Sequence, residues 1–443
     1  MTQENKLKPT RKMTSENEYL RGFNNEHESE AVPNALPRGR FSPQTTPLGL
    51  YAEKFSLTAF TVPRHENRRS WFYKLRPSVA HGIFEPIQHR FLKDELFLTS
   101  VLRPDQTRWS SFALEQDDSD FLDGLRPIAT NSNVRAQQGI SIYIYNANQS
   151  MVDRFFYNSD GELLIVPQLG KLSIYTECGL LHVEQGEIAV VPRGMKFRID
   201  VEKSSFGYVM ENCGSLLRLP ERGPVGSDGF ANDRDFLYPC AAFEDRKGDF
   251  ELVTKLGNNL FSCPLTHSPL DVVAWVGRAA PYKYDLTLFN TMGSVSYDHP
   301  DPSIYTVLTS PSDSPGMANA DFVIFPSRWM VAENTFRPPW FHRNIMSEFM
   351  GLIFGQYDGK QAGFEPGGAS LHNCMSAHGP EHGVFHKASH AQLTPEYYAN
   401  TLAFMFETRY PLSITDFAWN TDGRQTNYME CWEGLGKNFV SAE

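Results

Sequence analysis

Long apolar stretches are missing from this 443-residue sequence. No run approaches the roughly 18 consecutive apolar residues that a membrane-spanning helix needs, so no membrane segment is predicted. The first residues, MTQENKLKPTRKMTSENEY, are polar throughout and lack the apolar core of a secretory signal. We therefore expect a cytoplasmic protein.

Paired cysteines and basic stripes are missing as well. The six cysteines never occur as a Cys-x-x-Cys pair. Without that spacing or a secretory signal, we expect free thiols in a reducing compartment instead of disulfides or a zinc framework. The formal net charge is -11. An acidic surface repels nucleic acid and anionic lipid, so neither is expected as a partner.

Aromatic residues, by contrast, are plentiful, and with 29 prolines and 32 glycines they favour short strands joined by turns. Short apolar or alternating runs, separated by Gly, Asn, Asp or Pro, fill 138–210. They are ISIYIYNA, GELLIVPQ, KLSIYTE, LLHVE, EIAVVP and MKFRIDVE. Further β-rich blocks lie at 284–310, 320–357 and 401–410. The sequence predicts a mainly β protein, a sandwich or jelly roll. TPEYYAN, 394–400, is the candidate helix, with Thr394 as its cap.

The length predicts two or three domains. The polar residues 1–18 are predicted to be a disordered tail. Downstream, Gly186-x5-Pro192-x-Gly194-x2-Phe197 has the spacing of the second cupin motif, with Phe197 where a histidine ligand would stand. Phenylalanine has no lone pair to donate, so this half is predicted to be a degenerate, metal-free cupin half. The alternative is an ordinary hairpin punctuated by Gly and Pro.

Histidines cluster near the carboxyl end: seven of the 13 lie between residues 299 and 390. The segment PPWFHRNIMSEFMGLIFG contains His342-x-Asn344-x3-Glu348-x6-Gly355, close to the first cupin motif, His-x-His-x3-4-Glu-x6-Gly. Here Asn344 replaces the second histidine. This spacing predicts that His342 and Glu348 meet at the mouth of a barrel. With one more histidine they would form the facial triad that suits iron(II).

The third ligand is expected from 366–382, where His372 and His378 are both candidates and the spacing does not choose between them. Histidines recur every fourth residue at 378, 382, 386 and 390. That spacing suits one face of a helix, but Gly379 and Pro380 disfavour a helix there. The histidines at 382, 386 and 390 are therefore expected to be solvated.

Two further groups have competing interpretations. His299 has Asp298 and Asp301 beside it, and a carboxylate can orient an imidazole as a base. The same residues also suit a polar turn at a strand end. Arg337 and Arg343 flank His342 and could anchor an anionic substrate or simply pair with surface carboxylates.

Together these segments resemble the homogentisate 1,2-dioxygenase family. The resemblance runs from about residue 19 to about residue 435. In the second half it rests on DHPDPSIYTVL, ADFVIFPSRW, FRPPWFHRNIMSEFMGLI and PGGASLHNCMSAHGP. In the first half it rests on FYNSDGELLIVPQLGKLSIYTE and VVAWVGRAAPYKYDL. These are long, uncommon strings, so chance agreement is improbable.

The resemblance implies a large N-terminal β-sandwich domain, 19–287, and a smaller metal-binding, cupin-like domain, 288–443. It implies cleavage of homogentisate by O2 to maleylacetoacetate, in tyrosine and phenylalanine breakdown. The cofactor would be Fe(II), with O2 as co-substrate. The chains would form a homo-oligomer, a hexamer built from two trimers.

The resemblance also implies residue roles. Fe(II) would be bound by His342, Glu348 and His378, and His378 would also border the substrate. His372 would lie near substrate and oxygen. Two further roles would fall to His299 as the proton acceptor and to Tyr357 as a hydrogen-bonding partner of the substrate.

Two features depart from a simple match. Trp340 and Phe341 stand where the family commonly has tyrosines, so hydroxyl contacts there would be absent. Tyr357 has the opposite strand parity to Glu348, so both can face the site only if a bulge or turn at Gly355 intervenes.

Three other functions remain as alternatives. They are a gentisate-type dioxygenase, a metal-dependent cupin isomerase acting on sugar phosphates, and a non-enzymatic binding or storage protein of the same fold. The absence of Lys and Arg from 366–382 disfavours the sugar-phosphate alternative.

Overall fold

The structure, a computed structural model, describes residues 19–93, 100–112, 118–293, 295–360 and 362–441. The predicted disordered tail, 1–18, lies outside the described residues. Among those described, no helix is both long enough and apolar enough to cross a membrane.

Two large sheets make up most of the first half, and their apolar side chains share one core. The first has nine strands, in spatial order Tyr19–Arg21, Leu237–Pro239, Tyr282–Asp285, Glu187–Val191, Glu162–Leu169, Ser205–Asn212, Ile140–Ala147, Leu125–Thr130 and Ser413–Ile414. The second has seven, in the order Gly179–Glu184, Lys171–Thr176, Phe197–Asp200, Arg154–Asn158, Lys247–Leu256, Asn259–His267 and Glu85–Ile87. Phe197 is fully buried between Phe121 and Phe156.

Two smaller sheets complete the fold. One has four strands, in the order His27–Glu30, Val272–Gly277, Arg69–Lys74 and Tyr51–Ser56. The other has six, in the order Thr306–Pro311, Ala318–Met330, Glu396–Thr408, Ser347–Phe354, Ala369–His372 and Thr107–Trp109. The six-stranded sheet includes Thr107–Trp109 from the first half of the chain, and the nine-stranded sheet includes Ser413–Ile414 from the second half. Each half of the chain therefore contributes a strand to a sheet of the other half.

Helical segments are short. In the described residues, the α-helices are His382–Ser389 and Asp416–Asn420. The 3-10 segments found there are Pro47–Gly49, Gly223–Val225, Asp233–Asp235, Leu286–Leu288, Pro302–Tyr305 and Tyr428–Trp432.

The mainly β prediction is confirmed, and the runs predicted within 138–210 are strands. Two details of the prediction are wrong. TPEYYAN is not a helix but the start of the strand Glu396–Thr408, where Tyr397 pairs with Trp329 and packs 5.2 Å from it, centroid to centroid. A helix does form at His382–Ser389, because it begins two residues beyond Pro380. Within it His386 is exposed, as is His390 just after it, whereas His382 is partly buried.

In the strand Ser347–Phe354, alternate side chains face opposite ways. Phe349 enters the main core, with its ring 6.3 Å from Trp109 and 6.2 Å from Phe406. Glu348 therefore faces the other side of the sheet. A register shift precedes Phe354, and the strand ends there, at Gly355 with φ +80°. A Cβ at Gly355 would stand 2.0 Å from the Asn400 carbonyl oxygen, so only glycine fits.

Glu162, a buried carboxyl of the nine-stranded sheet, generates a stability prediction. Its Oε1 accepts hydrogen bonds from Asn212 Nδ2 (2.9 Å) and the Leu217 N–H (2.6 Å). Burial outweighs these bonds and raises the pKa of Glu162 to about 7. A raised carboxyl pKa means that the folded state holds a proton which the unfolded state has released, so stability is lost as pH rises from about 4.5 to about 7.

Glu162→Gln keeps both acceptor contacts without the charge. We expect it to raise the free energy of unfolding on the order of 2–3 kcal/mol at pH 8, and by much less at pH 5. Melting temperatures at both pH values measure this. The control is Glu202→Gln, which alters an exposed carboxyl and should change the melting temperature equally at both. A gain from Glu162→Gln that does not depend on pH would contradict the assignment.

Candidate metal centre

Glu348 and His372 are paired directly across two neighbouring strands. Ser347–Phe354 runs antiparallel to Ala369–His372, and Glu348 lies opposite His372. Directly paired residues project from the same face of a sheet. His372 is 2% exposed, and its Nδ1 lies 3.9 Å from Glu348 Oε2.

His342 and His378 form a second pair in the same register. The His342 N–H donates to the His378 carbonyl (2.9 Å), and the His378 N–H donates to the His342 carbonyl (3.1 Å). Between the two pairs each chain segment advances by six residues, so the loops on the two sides have equal length. The paired backbones bring the imidazole rings to 4.2 Å, centroid to centroid.

Three of these side chains converge tightly enough to hold one cation. His342 Nε2 lies 3.9 Å from Glu348 Oε1, and His378 Nε2 lies 2.8 Å from Glu348 Oε2. One ligand atom from each of the three lies within 4.8 Å of the others. Glu348 and His378 are nearly buried, whereas the His342 side chain is 40% exposed. The cluster is therefore open to solvent on the His342 side.

The second nitrogen of each ring fixes which atom can bind a metal. His342 Nδ1 bonds to the Trp340 carbonyl at 2.6 Å, and His378 Nδ1 bonds to the Ser376 carbonyl at 2.9 Å. A carbonyl only accepts, so each Nδ1 carries a proton and Nε2 is the nitrogen left to bind a metal. Both Nε2 atoms face Glu348, and the three side chains together form a donor set that suits a divalent cation.

Asn344 supports the carboxylate. Its side-chain amide donates a hydrogen bond to Glu348 Oε1. The residue that replaces the second histidine of the cupin motif therefore orients a candidate ligand.

The Glu348 carboxylate is ionised, and the His372 ring beside it is neutral. Burial by itself would raise the pKa of Glu348, but the imidazoles of His372 and His378 outweigh it and hold that pKa well below its usual range. Burial, and then the adjacent His378, hold the pKa of His372 well below 6.5. His372 is therefore a neutral ring that carries a single N–H.

Two more acids continue the row across the sheet. Glu407 is paired with Glu348, and Asp321 is paired with Glu407. Burial raises the pKa of Glu407 to about 8, with Glu348 adding to the shift, and raises that of Asp321 to about 6. At neutral pH Glu407 is mostly protonated and Asp321 is mostly ionised, so the row carries its negative charges at its two ends, on Glu348 and Asp321.

His299 and Tyr357 lie in a neighbouring region. No hydrogen bond or ion pair links either of them to the metal cluster in the described part of the chain. Tyr357 lines a cavity of 620 Å³ that the three candidate ligands do not line. Burial lowers the pKa of His299, and its Nδ1 bonds to the Pro300 carbonyl at 2.9 Å. Its Nε2 is buried without a hydrogen-bond partner among the described residues.

The turn at Gly355 means that strand parity does not prevent Tyr357 and Glu348 from facing the same site. Because the strand ends at Phe354 and Gly355 turns the chain, Tyr357 is not bound by the alternation that governs Glu348. The interruption that the sequence required at this point is present.

The two arginines near His342 differ. The Arg337 guanidinium is buried and donates to the Thr394 and Ala332 carbonyls, so two of its nitrogens hold the backbone. Arg343 is exposed.

Aromatic side chains border the open side. Trp340 is 51% exposed and Phe341 is 42% exposed. Both rings pack on Phe385 of the helix His382–Ser389.

Comparison with protein families identifies the family of the chain. A family model described as "Homogentisate 1,2-dioxygenase N-terminal" matches residues 18–286, and one described as "Homogentisate 1,2-dioxygenase C-terminal" matches residues 287–439. The chain belongs to the homogentisate 1,2-dioxygenase family. Its function is that of a ring-cleaving dioxygenase for homogentisate, as the sequence indicated.

Solved structures similar to the chain include proteins of the cupin type, all at low scores. Protein Ylba from E. coli is 10% identical, with a TM-score of 0.30, over 71% of this chain and 96% of that one. A mutant of the oxalate decarboxylase OxdC from Bacillus subtilis is 10% identical, with a TM-score of 0.31, over 71% and 79%. A cupin 2 conserved barrel domain protein from Leptotrichia buccalis is 7% identical, with a TM-score of 0.29, over 66% and 91%.

Sequence reasoning missed Tyr428, whose hydroxyl lies 3.0 Å from His372 Nε2. It lies 56 residues from His372 along the chain, and no motif spacing pointed to it.

The cluster predicts a selective loss of metal. Glu348→Gln keeps the shape but removes the negative charge and a lone-pair oxygen. We expect it to weaken binding of ferrous iron by more than the 10–100-fold typical of changes to residues around the ligands. Anaerobic loading, dialysis and elemental analysis would measure metal per chain.

Glu407→Gln is the matched control, since it alters the adjacent acid of the same row, which is already mostly neutral. It should retain metal. If both variants bind metal equally well, the three-residue site is wrong.

Proposed function

We propose that His342, Glu348 and His378 bind one iron(II) ion as a facial triad. The observation that carries this proposal is the convergence of two imidazole Nε2 atoms on one ionised carboxylate. Two nitrogens and one oxygen suit iron(II) and leave coordination positions open. Ferrous iron bound there would provide a meeting point through which electron density can pass from the electron-rich ring of the substrate to O2.

The remaining residues orient the substrate and move its proton. His299 takes the phenolic proton of homogentisate: its Nδ1–H is held by the Pro300 carbonyl, so Nε2 is the free base. Tyr357 donates a hydrogen bond to the substrate. His378 borders the ring as well as the metal, and His372 lies against the oxygen-binding side. The protein thus fixes the relative orientation of two reactants.

The wider setting follows the family resemblance. The product is maleylacetoacetate, and the reaction belongs to tyrosine and phenylalanine breakdown. The protein is cytoplasmic and assembles as a hexamer of two trimers. The division of the chain into an N-terminal domain, 19–287, with a metal-free cupin-like half, and an iron-binding domain, 288–443, belongs to the same proposal.

Oxygen uptake tests the activity. Protein loaded anaerobically with ferrous iron should consume one O2 per homogentisate after mixing with aerobic buffer. Gentisate should support at least about 10-fold slower uptake, since a carboxyl attached directly to the ring changes the reach of the anion. Glu407→Gln serves as the control that keeps iron and uptake. A folded, iron-loaded sample without uptake would contradict the proposal, and faster uptake with gentisate would favour the gentisate-type alternative.

His299 generates a pH prediction. Because burial holds its pKa below 6.5, the base remains unprotonated to lower pH than an exposed histidine would. The decline of kcat/KM on the acid side of its pH profile should therefore be centred at a pH below 6.5.

His299→Gln should remove that decline and lower kcat by about 100-fold. The control is His81→Gln, an exposed histidine of the first half, which should leave both unchanged. Retention of the decline in His299→Gln would assign the proton acceptor to another residue.

A further inference from the structure

Tyr428 is the buried residue of the 3-10 segment Tyr428–Trp432, and its side chain lies beside His372. Tyr428 is 2% exposed, and its hydroxyl lies 3.0 Å from His372 Nε2. The two rings are 6.2 Å apart with an angle of 27° between their planes. Tyr428 therefore contacts His372, the histidine that motif spacing could not distinguish from His378 as the third metal ligand.

The Tyr428 ring is held on several sides. The Arg108 guanidinium lies 4.2 Å from the ring centroid, and the Lys360 ammonium group lies 5.3 Å from it. The Trp432 ring is 5.1 Å away. Arg108 is itself paired with Glu381 at 3.1 Å. These side chains pack around the Tyr428 ring and thereby fix the position of its hydroxyl and the direction of its hydrogen bond.

The direction of that hydrogen bond follows from the surroundings of both partners. The Tyr428 hydroxyl is buried, and His372 Nε2 is its hydrogen-bond partner in the described part of the chain. If Nε2 carried the proton, the phenolic proton would have no acceptor there. This problem vanishes if the tyrosine donates to Nε2 and Nδ1 carries the proton.

We propose that Tyr428 is a positioning residue that keeps His372 in the tautomer protonated on Nδ1, so that this N–H points at the ligand side of the metal cluster. His372 Nδ1 is buried with no hydrogen-bond partner among the described residues. The role of that N–H, as a donor to a small oxygen-containing ligand on the metal, rests on the proposed iron site. The tautomer itself rests only on the contacts of the two side chains.

This assignment separates the three histidines by chemistry. His342 and His378 donate through Nδ1 to carbonyls, and the Nε2 atom of each faces Glu348. His372 accepts at Nε2 and presents a proton at Nδ1. It can therefore neither bind the cation nor act as a base at that nitrogen. It stabilises negative charge that develops on a ligand oxygen, as a fixed hydrogen-bond donor does.

The tautomer can be measured without metal or substrate. Magic-angle-spinning 15N spectra of histidine-labelled protein distinguish protonated from unprotonated ring nitrogens, and the His372 signals are identified by their loss in His372→Gln. We expect protonated Nδ1 and unprotonated Nε2 in the wild type. Tyr428→Phe should give a mixture of tautomers. A protonated Nε2 in the wild type would overturn the proposal, whatever the protein catalyses.

The role of the N–H is tested with nitric oxide, which binds ferrous iron in place of O2. Tyr428→Phe should keep one iron per chain and a similar KM for homogentisate, whereas kcat and nitric oxide affinity should each fall about 10-fold. The electron paramagnetic resonance signal of the nitric oxide adduct should shift. Unchanged kcat, affinity and signal would exclude the role.

Tyr208→Phe is the matched control. Tyr208 is fully buried, and its hydroxyl donates to the Gly368 carbonyl at 2.8 Å, next to the strand that carries His372, without touching that ring. It should resemble wild type in kcat and in the nitric oxide signal.

The double variant Tyr428→Phe/His372→Gln should be no slower than His372→Gln alone, because the tyrosine acts only through that ring. Additive losses would mean that Tyr428 acts elsewhere. If iron binding or uptake fails in the wild type while the 15N tautomer is as expected, the proposed function fails and the tautomer assignment survives.

Discussion

The antiparallel register between the segments carrying His342–Glu348 and His372–His378 is the constraint on which the site depends. Two pairs of residues, six positions apart on each segment, are held by backbone hydrogen bonds. Because the backbone brings the side chains together, their convergence does not depend on side-chain rotamers alone. A slip of one residue would turn Glu348 to the other face of the sheet, where Phe349 now enters the core.

Within that frame, the partner of each imidazole's second nitrogen decides what the ring does. The carbonyls of Trp340 and Ser376 accept from Nδ1 of His342 and His378, so Nε2 of each of these rings faces Glu348. The Tyr428 hydroxyl donates to Nε2 of His372, so that ring carries its proton on Nδ1. Three histidines of similar position thus divide into two candidate ligands and one hydrogen-bond donor. The contacts responsible come from the loops and from the carboxyl-terminal segment, so the cupin-like sheet supplies positions and its surroundings supply the chemistry.

The sequence predicted the strands of 138–210 and the proximity of the His342 and Glu348 side chains, because period-two alternation and motif spacing are local signals. It failed at 394–400, where a short aromatic run suits a strand or a helix and only pairing with the strand Ala318–Met330 decides. A usable signal was overlooked: His342 to Glu348 and His372 to His378 are equally spaced, as two antiparallel segments in one register require. Tyr428 carried no signal, since its contact exists only after the chain has folded.

The same register also sets the charge of the site. Glu348, Glu407 and Asp321 lie side by side on three strands, where three ionised carboxylates would repel one another at short range. Burial shifts the pKa of Glu407 to about 8 and that of Asp321 to about 6, while the neighbouring imidazoles shift that of Glu348 downward. The protonated Glu407 therefore separates the charge of Asp321 from that of Glu348, the carboxylate at the end of the row that faces the histidines. A cation held there meets one full negative charge and two neutral imidazoles, which leaves it net positive and able to attract an anionic substrate to a protein whose overall charge is negative.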